Sequence, residues 1–160
     1  MIKEKDIEQF FLKTNKHIGN IKKILDYIKE QINDRGNNHD KSKFNKNEID
    51  GWILGSNLEQ LDKNSDEYNQ AKKLYDNAYK IHHKQNRHHP EYFKHGFSDM
   101  NVVDVVEIIA DWMMDAVEEN KSFEQIVNEK QKEFNFDNAI RNLLINSAKE
   151  FNGVLGSLDK

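Results

Sequence analysis

Apolar residues recur along most of this chain at every third or fourth position, which is the spacing of an α-helix rather than of a strand. This spacing predicts a first long helix from about Lys5 to Ile32, because its apolar stripe stays on one face over seven turns. Gly36 is expected to end that helix. The residues of the stripe are Phe10, Thr14, His17, Ile21, Ile24, Ile28 and Ile32.

Shorter helical segments are predicted in the middle of the chain. Asn45 and Glu48 have the spacing of a capping box and predict a helix over about 46–54. A third helix is expected over about 67–85, where apolar positions again share one face. Pro90 then suits the first turn of a short helical piece, where its missing N–H group has no partner to lose.

The last third of the sequence predicts three more helices. The fourth, over about 102–119, is expected to be central because it is apolar on nearly every side, with Asn101 or Ser98 as its cap. Two amphipathic helices should follow over about 123–134 and 137–151. Ser122 and Gln125 form a second capping box, placed to start the first of these two.

The length of 160 residues gives room for one domain with one core. The sequence therefore predicts an all-α, single-domain helical bundle of about five to seven helices over residues 1–160, with C-terminal helices over about 122–152. Its formal charge of -4 and the lack of a basic stripe argue against duplex nucleic acid as a partner. No run of about 18 apolar residues occurs, so we expect no membrane partner and a cytoplasmic location.

The histidines are concentrated in one short segment. His82, His83, His88 and His89 fall within eight residues, and the chain has no cysteine, so a metal would be bound by His, Asp, Glu or water. Imidazole and carboxylate ligands suit Zn, Mn, Fe, Co and Ni. His82 lies on the apolar face of its helix and is favoured over His83, whereas the sequence does not separate His88 from His89 beside Pro90.

Two other histidines are candidates for the same chemistry. His17 sits within the apolar stripe of the first helix and is expected to point inward, where a lone histidine is more often a hydrogen-bonded core residue. His39 and Asp40 are adjacent, so both could bind one ion or two neighbouring ions. Asp40 could equally be a helix cap.

The fourth helix carries a strip of carboxylates at spacings of three or four residues: Asp104, Glu107, Asp111, Asp115 and Glu118. Such a strip is usually a solvated face. This helix is apolar on its other sides and should be buried, so carboxylates within it need a cation or a paired partner. Asp111, at the centre, is the best candidate ligand, whereas Asp115 and Glu118 near the end should be hydrated.

Taken together, these motifs resemble the HD-domain superfamily of metal-dependent phosphohydrolases. The segment HDKSK is similar to its HD-x-G-K form, with Ser42 in place of the glycine, and IIADW is similar to its alanine–aspartate ending. The resemblance covers about residues 10–118. The set HDKSKF, HHKQNRHHPEYF and EIIADW is also similar to a family of small uncharacterised bacterial and bacteriophage proteins, which brings no established reaction.

The superfamily resemblance implies one or two divalent metal ions, chosen among Mn, Fe, Co, Ni, Zn and Mg. It implies that the first ion is bound by His17, His39, Asp40 and Asp111. A second ion would be bound by His82 with His88 or His89, and Asp40 would bridge the two.

The resemblance also implies hydrolysis of a nucleotide or another small phosphate ester by metal-activated water. Asp40, Glu107 and Lys43 would then be the catalytic residues. Glu107 would relay protons and Lys43 would neutralise the phosphate. Lys43, Arg87 and Asn86 are the candidates for binding substrate. Two alternatives remain open. One is an HD-like di-iron oxygenase. The other is a non-catalytic, metal-stabilised interaction protein, for which a bacteriophage is one candidate source. The sequence leaves a homo-oligomer open.

Overall fold

The computed structural model describes residues 3–151 and Gly153, and within them the chain is all-α, as predicted. Residues 1–2, 152 and 154–160, at the ends of the predicted domain, lie outside the described part. The described helices are α1 (Glu4–Asn38), α2 (Ile49–Gly55), α3 (Asp66–Gln85), α4 (Val102–Glu118), α5 (Phe123–Phe134) and α6 (Asn138–Phe151). Short 3₁₀ turns cover Lys41–Phe44, Leu58–Gln60, Pro90–Tyr92 and Gly96–Asp99.

The chain forms two compact units, one of residues 1–37 and one of residues 38–160. The first unit consists almost entirely of α1. The second contains the other five α-helices and the 3₁₀ turns. The prediction of one domain over residues 1–160 therefore stays a prediction. In the part of the chain that the structure describes, no helix combines the length and the apolar character needed to cross a bilayer.

Helix α1 is longer than predicted. It continues through Gly36, so the prediction that Gly36 ends it is wrong. A single glycine weakens a helix by only about 1 kcal/mol, which the turns on either side outweigh. The chain leaves the helical path at Asp40 instead, which adopts the left-handed conformation with a φ of 58°. Helix α1 buries no residue, so His17 is exposed and does not point inward as predicted.

Helix α4 is the centre of the second unit, as predicted. Ile108 and Ile109 on α4 are almost completely buried, and they share one core with Ile126 and Val127 of α5 and Leu144 of α6. An apolar helix surrounded by amphipathic partners is the arrangement that the hydrophobic pattern favours. Asp104 and Glu107 of its acidic strip are buried with it, whereas the rest of the strip is partly or fully exposed.

Helices α2 and α3 pack closely, because Gly51 has no side chain to separate them. A Cβ atom at Gly51 would lie 2.5 Å from the Cβ of Ala78 and 2.5 Å from the carbonyl oxygen of Leu74. The predicted capping box of Asn45 and Glu48 is wrong, since α2 begins at Ile49 and the Glu48 side chain makes no capping hydrogen bond. Glu48 is drawn into the interior instead, where it is 0% exposed.

Three other local predictions are confirmed. Of the two candidate caps of α4, Asn101 rather than Ser98 caps the helix, in a capping box with Asp104. Ser122 caps α5 in one with Gln125. Pro90 begins a 3₁₀ turn. These signals involve residues within a few positions of one another, so the sequence alone is sufficient to identify them.

Candidate metal centre

Four segments of the second unit bring ligand-type side chains together. His39 and Asp40 come from the bend that follows α1, and His82 comes from the last turn of α3. His88 lies in the turn before Pro90, and Asp111 lies in the middle of α4. The left-handed backbone of Asp40 lets the chain turn sharply here, and Asn and Asp accept that conformation more readily than most residues.

The His82 imidazole lies between two carboxylates. Its Nδ1 atom is 3.1 Å from Oε2 of Glu48, and its Nε2 atom is 3.0 Å from Oδ1 of Asp40. We assign the ring proton to Nδ1, where it is shared between Oε2 of Glu48 and Oγ of Ser42 at 2.9 Å, because Nε2 lacks the alignment of a hydrogen bond with Asp40. The Nε2 lone pair then faces Asp40 in an interior where His82 is only 1% exposed.

Glu107 holds two further imidazoles in the same way. Its Oε1 atom lies 3.1 Å from Nδ1 of His39 and 3.2 Å from Nδ1 of His88. The Nε2 atom of His39 lies 3.3 Å from Oδ1 of Asp111, and that of His88 lies 3.3 Å from Oδ1 of Asp40. Both rings therefore place Nδ1 against Glu107 and Nε2 against a candidate ligand carboxylate.

One pattern is thus repeated three times. His39, His82 and His88 each place Nδ1 against a buried glutamate and Nε2 against an aspartate. Metal-binding histidines in proteins commonly have this arrangement, because the outer carboxylate fixes the ring and its tautomer. Among the residues that the structure describes, Oδ1 of Asp40 and Nε2 of His82 are buried without a hydrogen bond. Such atoms are available to a cation.

The electrostatics also favour a positive charge in the cluster. Hydrogen bonds to Asp111 and Glu107, the largest effects, together with the charge of Asp40, raise the pKa of His39 to about 10 against the opposing effect of burial. Burial on its own would raise the pKa of Asp40, but interactions with His82, His88 and Lys43 hold it far below its usual value. The Asp40 carboxylate therefore remains ionised and attracts either a proton or a metal ion.

Three overlapping groups have ligand atoms that all lie within 4.8 Å of one another: His39, Asp40 and His88; His82, His88 and His89; and His83, His89 and Glu91. Burial, followed by the neighbouring histidines, lowers the pKa of His89 strongly, which keeps this imidazole in the neutral form that metals bind. Its Nε2 atom is buried without a hydrogen bond among the described residues. These groups are candidate sites for one ion or for two.

A cavity of about 390 Å³ adjoins the cluster. Its wall includes the candidate ligands Asp40, His82, His88 and Asp111, and also the aromatic side chains of Trp52, Tyr75 and Tyr79. Cavities lined by aromatic side chains and a few polar groups are common small-molecule sites.

The three predicted substrate-binding residues all contact other protein groups. The ammonium group of Lys43 lies 2.5 Å from Oδ2 of Asp40, and Nδ2 of Asn86 donates to the hydroxyl of Ser42. Arg87 donates two hydrogen bonds, of 2.8 and 2.7 Å, to the buried carboxylate of Asp104. Their contact with substrate, and the role of His17 as a ligand, stay predictions.

Sequence reasoning missed Glu48 as part of this cluster. A usable signal was present, because Glu48, Gly51 and Gly55 are spaced i, i+3 and i+7 and share one face of the helix. Two glycines on one face indicate close contact with another helix, which would have placed Glu48 inside. The preference for His82 over His83 agrees with their burial, since the side chain of His83 is 12% exposed and that of His82 is 2% exposed.

Comparison with curated proteins found no match, and comparison with solved structures found none either. One family model matches residues 6–150, a span that contains α1 from Asp6 onward and all the residues of the cluster. Its description is "Family of unknown function (DUF5662)", so the match assigns no reaction. Since the matched span is nearly the whole chain, this protein belongs to the DUF5662 family.

Proposed function

We propose that this protein is a metal-dependent phosphohydrolase that acts on a nucleotide or another small phosphate ester. The observation that carries the proposal is the threefold repeat in the cluster, where His39, His82 and His88 each have Nδ1 on a buried glutamate and Nε2 facing an aspartate. The resemblance to HD-domain proteins supports the reaction class by analogy. A cytoplasmic location belongs to the same proposal.

The proposed ligands are the Nε2 atoms of the three histidines and the carboxylates of Asp40 and Asp111. Mixed imidazole and carboxylate ligands suit Mn, Fe, Co, Ni or Zn, and Mg would use the carboxylates and water. A bound divalent ion would lower the pKa of a water molecule and polarise a phosphoryl oxygen. If two ions bind, His39, Asp40 and Asp111 would hold the first, and His82, His88 and His89 would hold the second.

Glu48 and Glu107 act as positioning residues in this proposal. Each fixes the orientation and tautomer of an imidazole through Nδ1, so Nε2 is presented without rearrangement. Removing such an outer carboxylate weakens metal affinity or activity by about 10- to 100-fold in other sites. The proton-relay role of Glu107 stays a prediction, because its contacts with His39 and His88 orient the two rings and do not themselves indicate proton transfer.

The cavity beside the cluster would take the substrate. Lys43 lines it, with its ammonium group next to Asp40 and 4.6 Å from the ring centre of Trp52. A phosphoryl group near the proposed ions would lie within reach of this positive charge. The rings of Trp52, Tyr75 and Tyr79 supply the apolar surface that a nucleobase or another flat group requires.

Asp40→Asn is the variant that tests this proposal. Asparagine tolerates the left-handed backbone of residue 40, so the change removes the carboxylate charge without straining the bend. Asp99→Asn is the matched control, because Asp99 is an exposed aspartate of the same unit that pairs with His95 outside the cluster. Each protein is purified without chelator and analysed for bound elements. Phosphate release is then screened over nucleotides with Mn, Mg, Co, Ni and Fe.

We expect bound metal and phosphate release in the wild type and in Asp99→Asn, and loss of both in Asp40→Asn. A wild-type protein that binds no ion under any condition would overturn the metal site. Bound metal without phosphate release from any substrate would overturn the reaction and favour a metal-stabilised interaction protein. Bound iron with oxygen consumption would favour an oxygenase.

A further inference from the structure

Helix α1 carries a regular heptad pattern of apolar residues. Its members are separated alternately by four and three residues over 26 positions: Ile7, Phe11, Thr14, Ile18, Ile21, Leu25, Ile28 and Ile32. We call these eight side chains the α1 seam. An alternation of this kind sustained over more than three heptads is typical of a helix that packs along its length against another helix.

Five of the eight seam side chains are exposed in the described structure, and the other three, Thr14, Ile28 and Ile32, are half-buried. Phe11 is 58% exposed, Ile18 is 58% exposed and Leu25 is 59% exposed, and α1 has no buried residue. Phe10 and Ile24 extend the apolar surface along one side of the seam and are also exposed. A contiguous apolar patch of this size on a protein surface usually marks an interaction site.

We propose that α1 pairs with α1 of a second copy of the chain, and that the two helices run antiparallel. In this pairing Ile18 lies opposite Ile21 of the second copy, and Phe11 lies opposite Ile28 of the second copy. The same seam residues thus meet on both sides of a twofold axis, as a symmetric dimer requires. Every seam position finds a seam position as its partner.

The charges beside the seam decide the orientation. On one flank lie Glu8, Asn15, Lys22 and Lys29. The antiparallel pairing brings Glu8 next to Lys29 of the second copy, and does so twice by symmetry. On the other flank lie Phe10, His17, Ile24 and Gln31. A parallel pairing would bring the two flanks together, with His17 beside Lys22, and within α1 it would form no pair of opposite charges.

The area is sufficient for a stable dimer. The seven most exposed apolar side chains of this surface are between 43% and 64% exposed. Five of the seven are Ile or Leu, so we take roughly 150 Å² for each, the lower end of the range for aromatic side chains. Covering them completely removes about 600 Å² per copy, or about 1,200 Å² in total. Stable protein interfaces bury about 1,200–2,000 Å² in total.

Sedimentation velocity of the full chain tests the dimer. We expect the wild type to sediment as a dimer and the double variant Ile18→Glu/Leu25→Glu to sediment as a monomer. The control Lys16→Glu/Lys23→Glu changes the opposite, polar face of α1 and should remain dimeric. The fluorescence of Trp52 and Trp112, both in residues 38–160, should stay unchanged in every variant. A monomeric wild type, or a double seam variant that is still a dimer, would overturn the proposal.

The absence of cysteine from the chain allows a direct test of orientation. Two single variants are made, Ile7→Cys and Ile32→Cys, at the two ends of the seam. In an antiparallel dimer, oxidation of an equal mixture should form a disulfide between the two variants, because a disulfide needs Cα atoms within about 7 Å. Neither variant alone should cross-link. Cross-linking of either variant with itself would overturn the antiparallel arrangement.

Discussion

Replacing Gly51 with alanine is expected to destabilise the second unit. The added Cβ would lie 2.5 Å from the Cβ of Ala78 and 2.5 Å from the carbonyl oxygen of Leu74. A backbone oxygen cannot move aside without displacing α3. Overpacking of this kind costs about 1–3 kcal/mol, and alanine in a helix recovers about 0.5–1 kcal/mol relative to glycine. The expected net loss in the free energy of unfolding is about 1–2 kcal/mol.

Urea unfolding followed by tryptophan fluorescence measures this loss. The only two tryptophans are Trp52 and Trp112, so the signal reports on residues 38–160. With a denaturant slope of about 2 kcal/mol per molar, the urea midpoint should fall by about 0.5–1 M. Metal content should fall as well, since Glu48 precedes α2 and His82 lies on α3, and displacing these helices separates the two side chains.

Gly19→Ala is the control for this experiment. Gly19 lies within α1 and has no atom within 4 Å of an added Cβ, so the change is expected to increase helix content without lowering the midpoint. If Gly51→Ala were as stable as the wild type, the close packing of α2 on α3 would be refuted. The placement of Glu48 beside His82 would then lose its support.

Three further predictions concern local interactions and the proposed metal. Asp104→Asn should lower the free energy of unfolding by about 2–3 kcal/mol, because it weakens the paired hydrogen bonds from Arg87 and the capping box of α4. Urea denaturation measures this loss, with Asp99→Asn as the control. Asn135→Ala should cost about 1 kcal/mol in the same assay, since residue 135 has a φ of 50° at the end of α5, whereas Asn135→Gly should cost less. A bound ion at 100 times its Kd should stabilise the fold by about 2.7 kcal/mol, so chelator should lower the thermal midpoint of the wild type and leave that of Asp40→Asn unchanged. An equal shift in both proteins would contradict the proposed ligands.

Most helices could be predicted because their signals are local. The caps at Asn101 and Ser122 involve side chains three residues apart, and Pro90 acts on its own turn. The same local reasoning failed at Gly36 and Glu48. There the local preference was weak, and either the neighbouring helical turns or a distant partner decided the conformation.

The candidate site was only partly predictable. His39, Asp40, His82 and Asp111 could be singled out by residue type and helical face. The structure brings their ligand atoms together in pairs, His39 with Asp111 and His82 with Asp40. The sequence did not indicate which of His88 and His89 is the ligand, because both precede Pro90 and the local pattern does not orient either ring. In the structure, His88 takes the position between Asp40 and Glu107.

The sequence by itself determined the helical class, the central place of α4, the caps of α4 and α5, and the heptad pattern of α1. These features depend on residues within one or two turns of each other, whose interactions are fixed by helix geometry. The tertiary structure alone decided that Glu48 meets His82, 34 residues away, and that Glu107 meets His39, 68 residues away. Such contacts depend on which helices pack together and how closely, and periodicity carries no information about that choice.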